Sequence, residues 1–273
     1  MSTEMTVAFW LPEGNERFRA TLSTQGPWNP SFQHGGPPGA LLVRQIERCS
    51  PRPDMMLARI SIDILGPIPI TTLHAHARVV RPGRSVELLE ATLEHDGRAV
   101  MHASAWRVLL PTTHPASVDE PEMPPQLPAQ EFTSVIAPEW ACGFLEATEW
   151  RYVHGNYNQL GPATAWMRMR HPLLPEEEVT PMQRLVLTAD SANGVSSPLD
   201  IRSWQFIPPE LTLHCLRPPV GEWICMDART LMQAEGTGLS TANLYDERGL
   251  VARSAQALLI AQRSKVEKDS RKA

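Results

Sequence analysis

The sequence predicts an α+β protein made of two tandem copies of one module, each a helix followed by an antiparallel strand meander. Three observations predict it. Residues 59–110 and 210–261 repeat one another at an offset of about 150 positions, the signature of a duplicated architectural unit. Within the copies, apolar residues alternate with polar ones at a period of two, as in Ile60, Ile62 and Ile64 against Ser61 and Asp63, which marks strands with one buried face. Between the copies lies a stretch so rich in proline that no helix interior or central strand can contain it.

The elements follow in order. His34-Gly35-Gly36 precedes Pro37-Pro38, residues suited to a first helical turn, and Leu42, Ile46 and Cys49 continue at helical spacing. A helix is therefore expected over 37–49. Arg59 to Pro67 opens the first strand, and Leu73, Ala75, Ala77 and Val79 alternate with His74, His76 and Arg78 in the second. His95-Asp96-Gly97 is a hairpin turn before a last strand that ends near Leu110. Pro111 to Gln130 reads as a stiff, extended connection. The expected organisation is an N-terminal module over 1–113, a proline-rich linker over 114–131, a C-terminal module over 132–262 and a charged tail over 263–273. In the second copy Thr180-Pro181-Met182-Gln183 has the form of a capping box. Leu185, Val186 and Ala189 continue a helix for which Gly194 is a stop, giving 181–193. The strands from Glu210 to Pro218 and from Leu244 to Ile260, turned by Asp246-Glu247-Arg248-Gly249, repeat the first meander. Short connections make each sheet antiparallel. Joining the two sheets into one continuous curved sheet over paired helices hides their edges.

Composition excludes several classes of function. A net charge of −5 with pI near 6.0 gives no electrostatic footprint for nucleic acid or an anionic membrane surface. No apolar run approaches the roughly 20 residues that span a bilayer. Met1-Ser2-Thr3-Glu4 lacks a basic-then-apolar leader pattern, and Cys49, Cys142, Cys215 and Cys225 form no Cys-x-x-Cys pair. A cytoplasmic location with reduced thiols is expected.

Three places carry candidate chemistry. Gly35 and Gly36 at a helix N-terminus offer backbone N–H groups and the positive end of a helix dipole to a developing oxyanion, with His34 beside them. Asp190 falls in the last turns of its helix, where the dipole disfavours a carboxylate by ~0.3–1 kcal/mol, and its neighbours Val186 and Leu187 are apolar. The first helix has no acid at the equivalent place. Gln256 lies in an apolar strand among Val251, Ala255, Ala257 and Leu258. A solvated aspartate, an outward-facing glutamine and an ordinary glycine turn are the structural alternatives at these places.

In this arrangement, one helix wrapped by a curved antiparallel sheet, twice over, the sequence resembles the acyl-CoA thioesterase II-like (TesB-like) family of double-hotdog proteins. The resemblance runs to about Gln262 and is carried by Gln33-His34-Gly35-Gly36-Pro37-Pro38-Gly39-Ala40-Leu41, Leu187-Thr188-Ala189-Asp190, Arg217-Pro218-Pro219-Val220-Gly221-Glu222-Trp223 and Ser254-Ala255-Gln256. It implies hydrolysis of an acyl-CoA thioester to free acid and CoA, without cofactor. Asp190 and Gln256 would hold the attacking water as catalytic residues, and His34, Gly35 and Gly36 would bind the acyl carbonyl. The family's third water ligand is a threonine at the start of the strand leading to the Arg-Pro pair. This chain has Phe206-Ile207-Pro208-Pro209-Glu210 there, leaving Ser203 or Thr212 as substitutes.

Other chemistries lack a complete set of residues. His74 and His76 stand at i, i+2, but no cysteine or carboxylate cluster completes a metal site, so no metal is expected. There is no Gly-x-Ser-x-Gly elbow for a serine nucleophile. Hotdog enoyl-CoA hydratases carry an Asp and a His on one loop, a pattern absent here. Without the family's threonine, acyl-CoA binding with little turnover is the runner-up to hydrolysis. Homo-oligomerisation is compatible with this frame. Trp150 and Trp166 are read as core or acyl-tunnel lining.

Overall fold

A computed structural model describes residues 7–113, 122–129 and 136–263. In the first module a short hairpin, β1 (Trp10–Pro12) and β2 (Arg17–Ala20), leads through a 3-10 turn at Leu22–Thr24 to α1 (Gly36–Arg48). The meander β3 (Met55–Ile64), β4 (Thr72–Arg81), β5 (Val86–His95) and β6 (Arg98–Leu109) follows. The second module opens with a single turn, α2 (Gly143–Glu146), and a hairpin of β7 (Thr148–His154) and β8 (Ala163–Met169). Next come α3 (Pro181–Ala189), the single turn α4 (Ala192–Val195) and the short β9 (Trp204–Ile207). The chain closes with β10 (Glu210–Cys215), β11 (Ile224–Met232), β12 (Thr237–Asp246) and β13 (Gly249–Gln262).

These strands form one antiparallel sheet of 13 strands among the described residues, ordered β1-β2-β4-β5-β6-β3-β10-β13-β12-β11-β8-β7, with β9 added on β13. Read outward from its middle, the two halves are the same sequence of strands. The join is β3 on β10, where Ile60 faces Leu213 and Ile62 faces Leu211. The fold is the double hotdog that the repeat predicts. It also extends the repeat: β1–β2 and β7–β8 are equivalent hairpins outside the segments whose sequences match.

Both helices lie on the concave side. Leu41, Leu42 and Ile46 of α1 and Leu185, Val186 and Leu187 of α3 have no solvent exposure. Each buried aliphatic side chain of this kind stabilises by ~1.5–3 kcal/mol. The helices run antiparallel and touch closely at Gly39, where a Cβ would come within 3.1 Å of Ile62 and Val186 side chains. They also cap one another. The Thr180–Gln183 capping box forms as expected. Glu47 in the last turn of α1 then accepts hydrogen bonds from Thr180 Oγ1 at 2.9 Å and Gln183 Nε2 at 2.8 Å. A carboxylate at a helix N-terminus satisfies orphan charge there, although burial raises the Glu47 pKa above the ordinary value despite these bonds.

The predicted 181–193 helix is broken. It stops at Ala189, Asp190 is its C-cap, and the chain turns before α4. Ser191, Asn193 and Gly194 are poor helix formers, and the Ser191 N–H reaches back only to the Thr188 carbonyl. Of the predicted linker, 114–121 and 130–131 lie outside the described residues, as do 264–273 of the tail. Residues 122–129 carry no regular structure and lie on the second module, where the Trp166 indole donates to the Pro125 carbonyl at 3.1 Å. Arg263, first residue of the predicted tail, is buried and bonded to Ser203, with its guanidinium 5.3 Å from the Trp28 ring centre. No helix is long and apolar enough to cross a membrane.

Candidate active site

Antiparallel helices bring the start of α1 to the end of α3, and with it the half-buried His34 to the buried Asp190 across 156 positions of chain, each from a different module. His34 Nδ1 lies 3.0 Å from Asp190 Oδ2. The approach needs Gly35: a Cβ there would stand 2.9 Å from Oδ2 and 3.0 Å from Oδ1. It also needs Gly36, where a Cβ would meet the Leu187 carbonyl oxygen at 2.7 Å. The imidazole plane is fixed by stacking on Phe144, 3.8 Å between centres and 5° from parallel.

Nδ1 has a second neighbour. The Gly36 N–H points at it from 3.1 Å. One ring nitrogen cannot both accept from Gly36 and donate to Asp190. The hydrogen bond present is the one that Nδ1 accepts from Gly36, and Asp190 Oδ2 approaches the same nitrogen at 3.0 Å without one. A proton on Nδ1 would instead face Oδ2 and release the Gly36 N–H. Pro37 and Pro38 carry no N–H, so this end of α1 has its donors on Gly35 and Gly36.

Gln256 is fully buried on β13. Its Oε1 accepts the Asn193 N–H at 3.3 Å, which turns the amide NH2 toward Asp190, 3.4 Å from its carbonyl and 3.5 Å from Oδ1. Asn193 is held in turn by a bond from Nδ2 to the Phe206 carbonyl at 2.9 Å. His34, Gly35, Gly36, Asp190 and Gln256 thus converge on one place.

A small pocket opens beside them. His34, Phe144, Asn193, Trp28, Trp140 and Tyr157 line it, and its free space is about 20 Å³, room for about one water. Asp190 is not in its wall, whereas His34 both lines the pocket and contacts the carboxylate. The His34 Nε2 has no hydrogen-bond partner among the described residues. Burial pushes the Tyr157 phenol pKa up, and the nearby Asp190 charge pushes the same way. The buried Ser191 hydroxyl pulls that pKa back, yet its geometry falls short of a full hydrogen bond to any group.

Residues 24–108 match the acyl-CoA thioesterase N-terminal domain, and residues 115–260 match the acyl-CoA thioesterase C-terminal domain. The chain belongs to the acyl-CoA thioesterase family. Its reaction class is therefore thioester hydrolysis, with acyl-CoA as the substrate class. Solved structures agree on the hotdog fold at low identity. A hotdog protein from Alicyclobacillus acidocaldarius superposes with a TM-score of 0.71 at 15% identity, covering 93% of this chain and 96% of that one. A Thermobifida fusca protein provisionally named thioesterase II gives 0.71 at 18%, covering 94% and 98%. Acyl-CoA thioesterase II TesB2 from Mycobacterium marinum gives 0.62 at 17%, covering 94% and 96%. No curated protein sequence matches the chain.

Within this thioesterase frame, other sequence candidates take structural roles. Arg217, of the Arg-Pro signature, grips Asp246 with NH1 on Oδ2 at 2.5 Å and NH2 on Oδ1 at 2.6 Å, bracing the β12–β13 turn. Thr212 faces away from the helices and bonds Ser61 across the β3–β10 join at 3.1 Å, so it does not meet Asp190. Nor does any side-chain bond place Ser203 there among the described residues. The hydroxyl adjacent in the chain to Asp190 is that of Ser191, which the sequence reading missed together with Asn193, Phe144 and Tyr157. Trp150 is core, whereas Trp166 packs with Cys225 and Tyr245 under residues 122–129. The expectation that no carboxylate completes the His74–His76 pair needs correction. Strand register places Glu94 opposite His74.

Proposed function

We propose that this thioesterase binds the acyl carbonyl at the start of α1 and hydrolyses it with an Asp190–His34 pair. The observation that supports this reading is the 3.0 Å contact between His34 Nδ1 and Asp190, made by a histidine that lines the pocket. The resemblance alone implies that Asp190 holds the water directly; in this reading His34 acts between them. With the ring proton on Nδ1 facing Asp190, Nε2 takes the proton from water, the resulting hydroxide attacks the thioester carbon, and the Gly36 N–H, released from Nδ1, meets the oxyanion. Collapse breaks the C–S bond, and the proton on Nε2 passes to the departing CoA sulfur. Asp190 holds the Nδ1–H tautomer and stabilises the imidazolium, and Gln256 fixes the carboxylate from behind.

The test is release of free thiol from acyl-CoAs of increasing length by the parent, Asp190→Asn and His34→Ala. Both variants are expected to lose roughly 10²–10⁴-fold in kcat while remaining folded. Loss in Asp190→Asn alone would return the proton to Asp190. Full activity in both would remove the site assignment. A folded parent that binds acyl-CoA by calorimetry but releases no thiol would be the binding protein that the missing threonine suggests. Hydration of an enoyl-CoA without thiol release would make it a hydratase.

A further inference from the structure

On the outer face of the first module, far along the sheet from the helix-end pocket, three side chains form a group that the thioesterase reaction does not use. Leu73 and Ala75 of β4 point inward and are buried, so His74 and His76 both project from the opposite face. Glu94 of β5 sits across the ladder from His74. One ligand atom from each of His74, His76 and Glu94 lies within 4.8 Å of the others. We propose that these three side chains bind one zinc-class divalent ion.

Three features carry this. First, His74 Nδ1 and Glu94 Oε2 are 3.5 Å apart, the separation of two ligands that each lie ~2.0–2.2 Å from one tetrahedral ion. Second, the other nitrogen of the same ring, Nε2, is 3.5 Å from Glu16 Oε2. A carboxylate on the far nitrogen fixes the tautomer of a metal-bound histidine and leaves Nδ1 as the donor. Third, His76 Nδ1 is buried with no hydrogen-bond partner, a cost that a cation would remove. A small rotation of the His76 ring, now 5.2 Å from that of His74, closes the set. Two imidazoles and one carboxylate suit zinc and its transition-metal neighbours rather than calcium or magnesium. The competing arrangement is a protonated His74 held between Glu16 and Glu94, with no metal affinity.

Calorimetric titration of the tag-free, metal-stripped chain with Zn²⁺ decides between them. One ion per chain is expected, with a rise in the thermal unfolding midpoint. His76→Ala and Glu94→Gln should each weaken binding by at least roughly 10-fold, while His102→Ala leaves it unchanged. Thiol release from acyl-CoA should be the same in His76→Ala as in the parent, because the site is separate from the pocket. No saturable binding, or binding that persists in a His74→Ala/His76→Ala double variant shown to be folded by circular dichroism, overturns the proposal.

Discussion

Gly35 and Asp190 are in contact so close that no side chain fits between them. A Cβ on Gly35 would fall 2.9 Å from Asp190 Oδ2. The backbone at Gly35 is helical, φ −68 and ψ −21, so alanine suffers no conformational penalty there. Gly35→Ala should therefore act by moving Asp190. A loss of roughly 10²-fold in kcat is expected, with little change in unfolding midpoint. Gly36→Ala differs in kind: its Cβ meets backbone, the Leu187 carbonyl at 2.7 Å, so it should lower the unfolding midpoint as well. Unchanged turnover in Gly35→Ala would show that the place of Asp190 is immaterial to catalysis.

Gln256 touches Asp190 and the Asn193 backbone but does not line the pocket. Its truncation should lower kcat by roughly 10–10²-fold while KM moves less, because the amide positions the carboxylate rather than holding substrate. Steady-state kinetics of Gln256→Ala over several acyl-CoAs reads this split. A rise in KM with kcat intact would instead place Gln256 against the substrate.

The fold was legible in the sequence because duplication writes the same strand pattern twice, and period-two alternation survives where identities do not. The β1–β2 hairpin escaped because Trp10–Pro12 and Arg17–Ala20 are too short to show a period, and β7–β8 escaped because Thr148–Trp150 and Ala165–Met167 are buried without alternation. Asp190 was legible as an acid in an apolar helix. Its partner was not. His34 lies in the other module, and nothing local in a sequence tells that antiparallel helices bring the two together. The same holds for Glu94, which reaches His74 only through strand register. Gln256 was found from its surroundings, but Asn193 and Ser191 are unremarkable polar residues until the break after Ala189 turns them inward.

The Arg217–Asp246 pair sets a pH dependence of stability. Burial alone would raise the Asp246 pKa, but the Arg217 guanidinium and the N–H groups of Val220 and Arg248 outweigh it and hold the carboxyl below its ordinary value. A depressed folded pKa means the contribution is fully present above the unfolded value of about 3.9 and is lost as pH falls through the folded one. Asp246→Asn should cost about 2–5 kcal/mol near neutral pH, toward the lower end because Arg217 reaches solvent. The difference between parent and variant in urea unfolding should shrink as pH is lowered below about 4. A difference that stays constant down to acid pH would mean that the pair is not what Asn disrupts.

If the acyl group enters the pocket as proposed, Trp28 should govern how much room it finds. Trp28 lines the pocket and stands edge-on to Phe206 at 4.9 Å and to Trp140 at 6.4 Å, so aromatic rings wall a space of about 20 Å³. Trp28 is only partly buried, and its removal should cost less stability than loss of the deeply buried Trp140. Trp28→Ala opens apolar volume beside His34 without touching the Asp190 contact. Each added methylene that fits is worth about 1–3 kcal/mol of discrimination. The ratio of kcat/KM for a longer over a shorter acyl-CoA should therefore rise by roughly 10-fold or more in the variant. Thiol release measured across a chain-length series checks it. A fall in kcat/KM equal at every length would mean that Trp28 supports the fold of the site and does not meet the acyl chain.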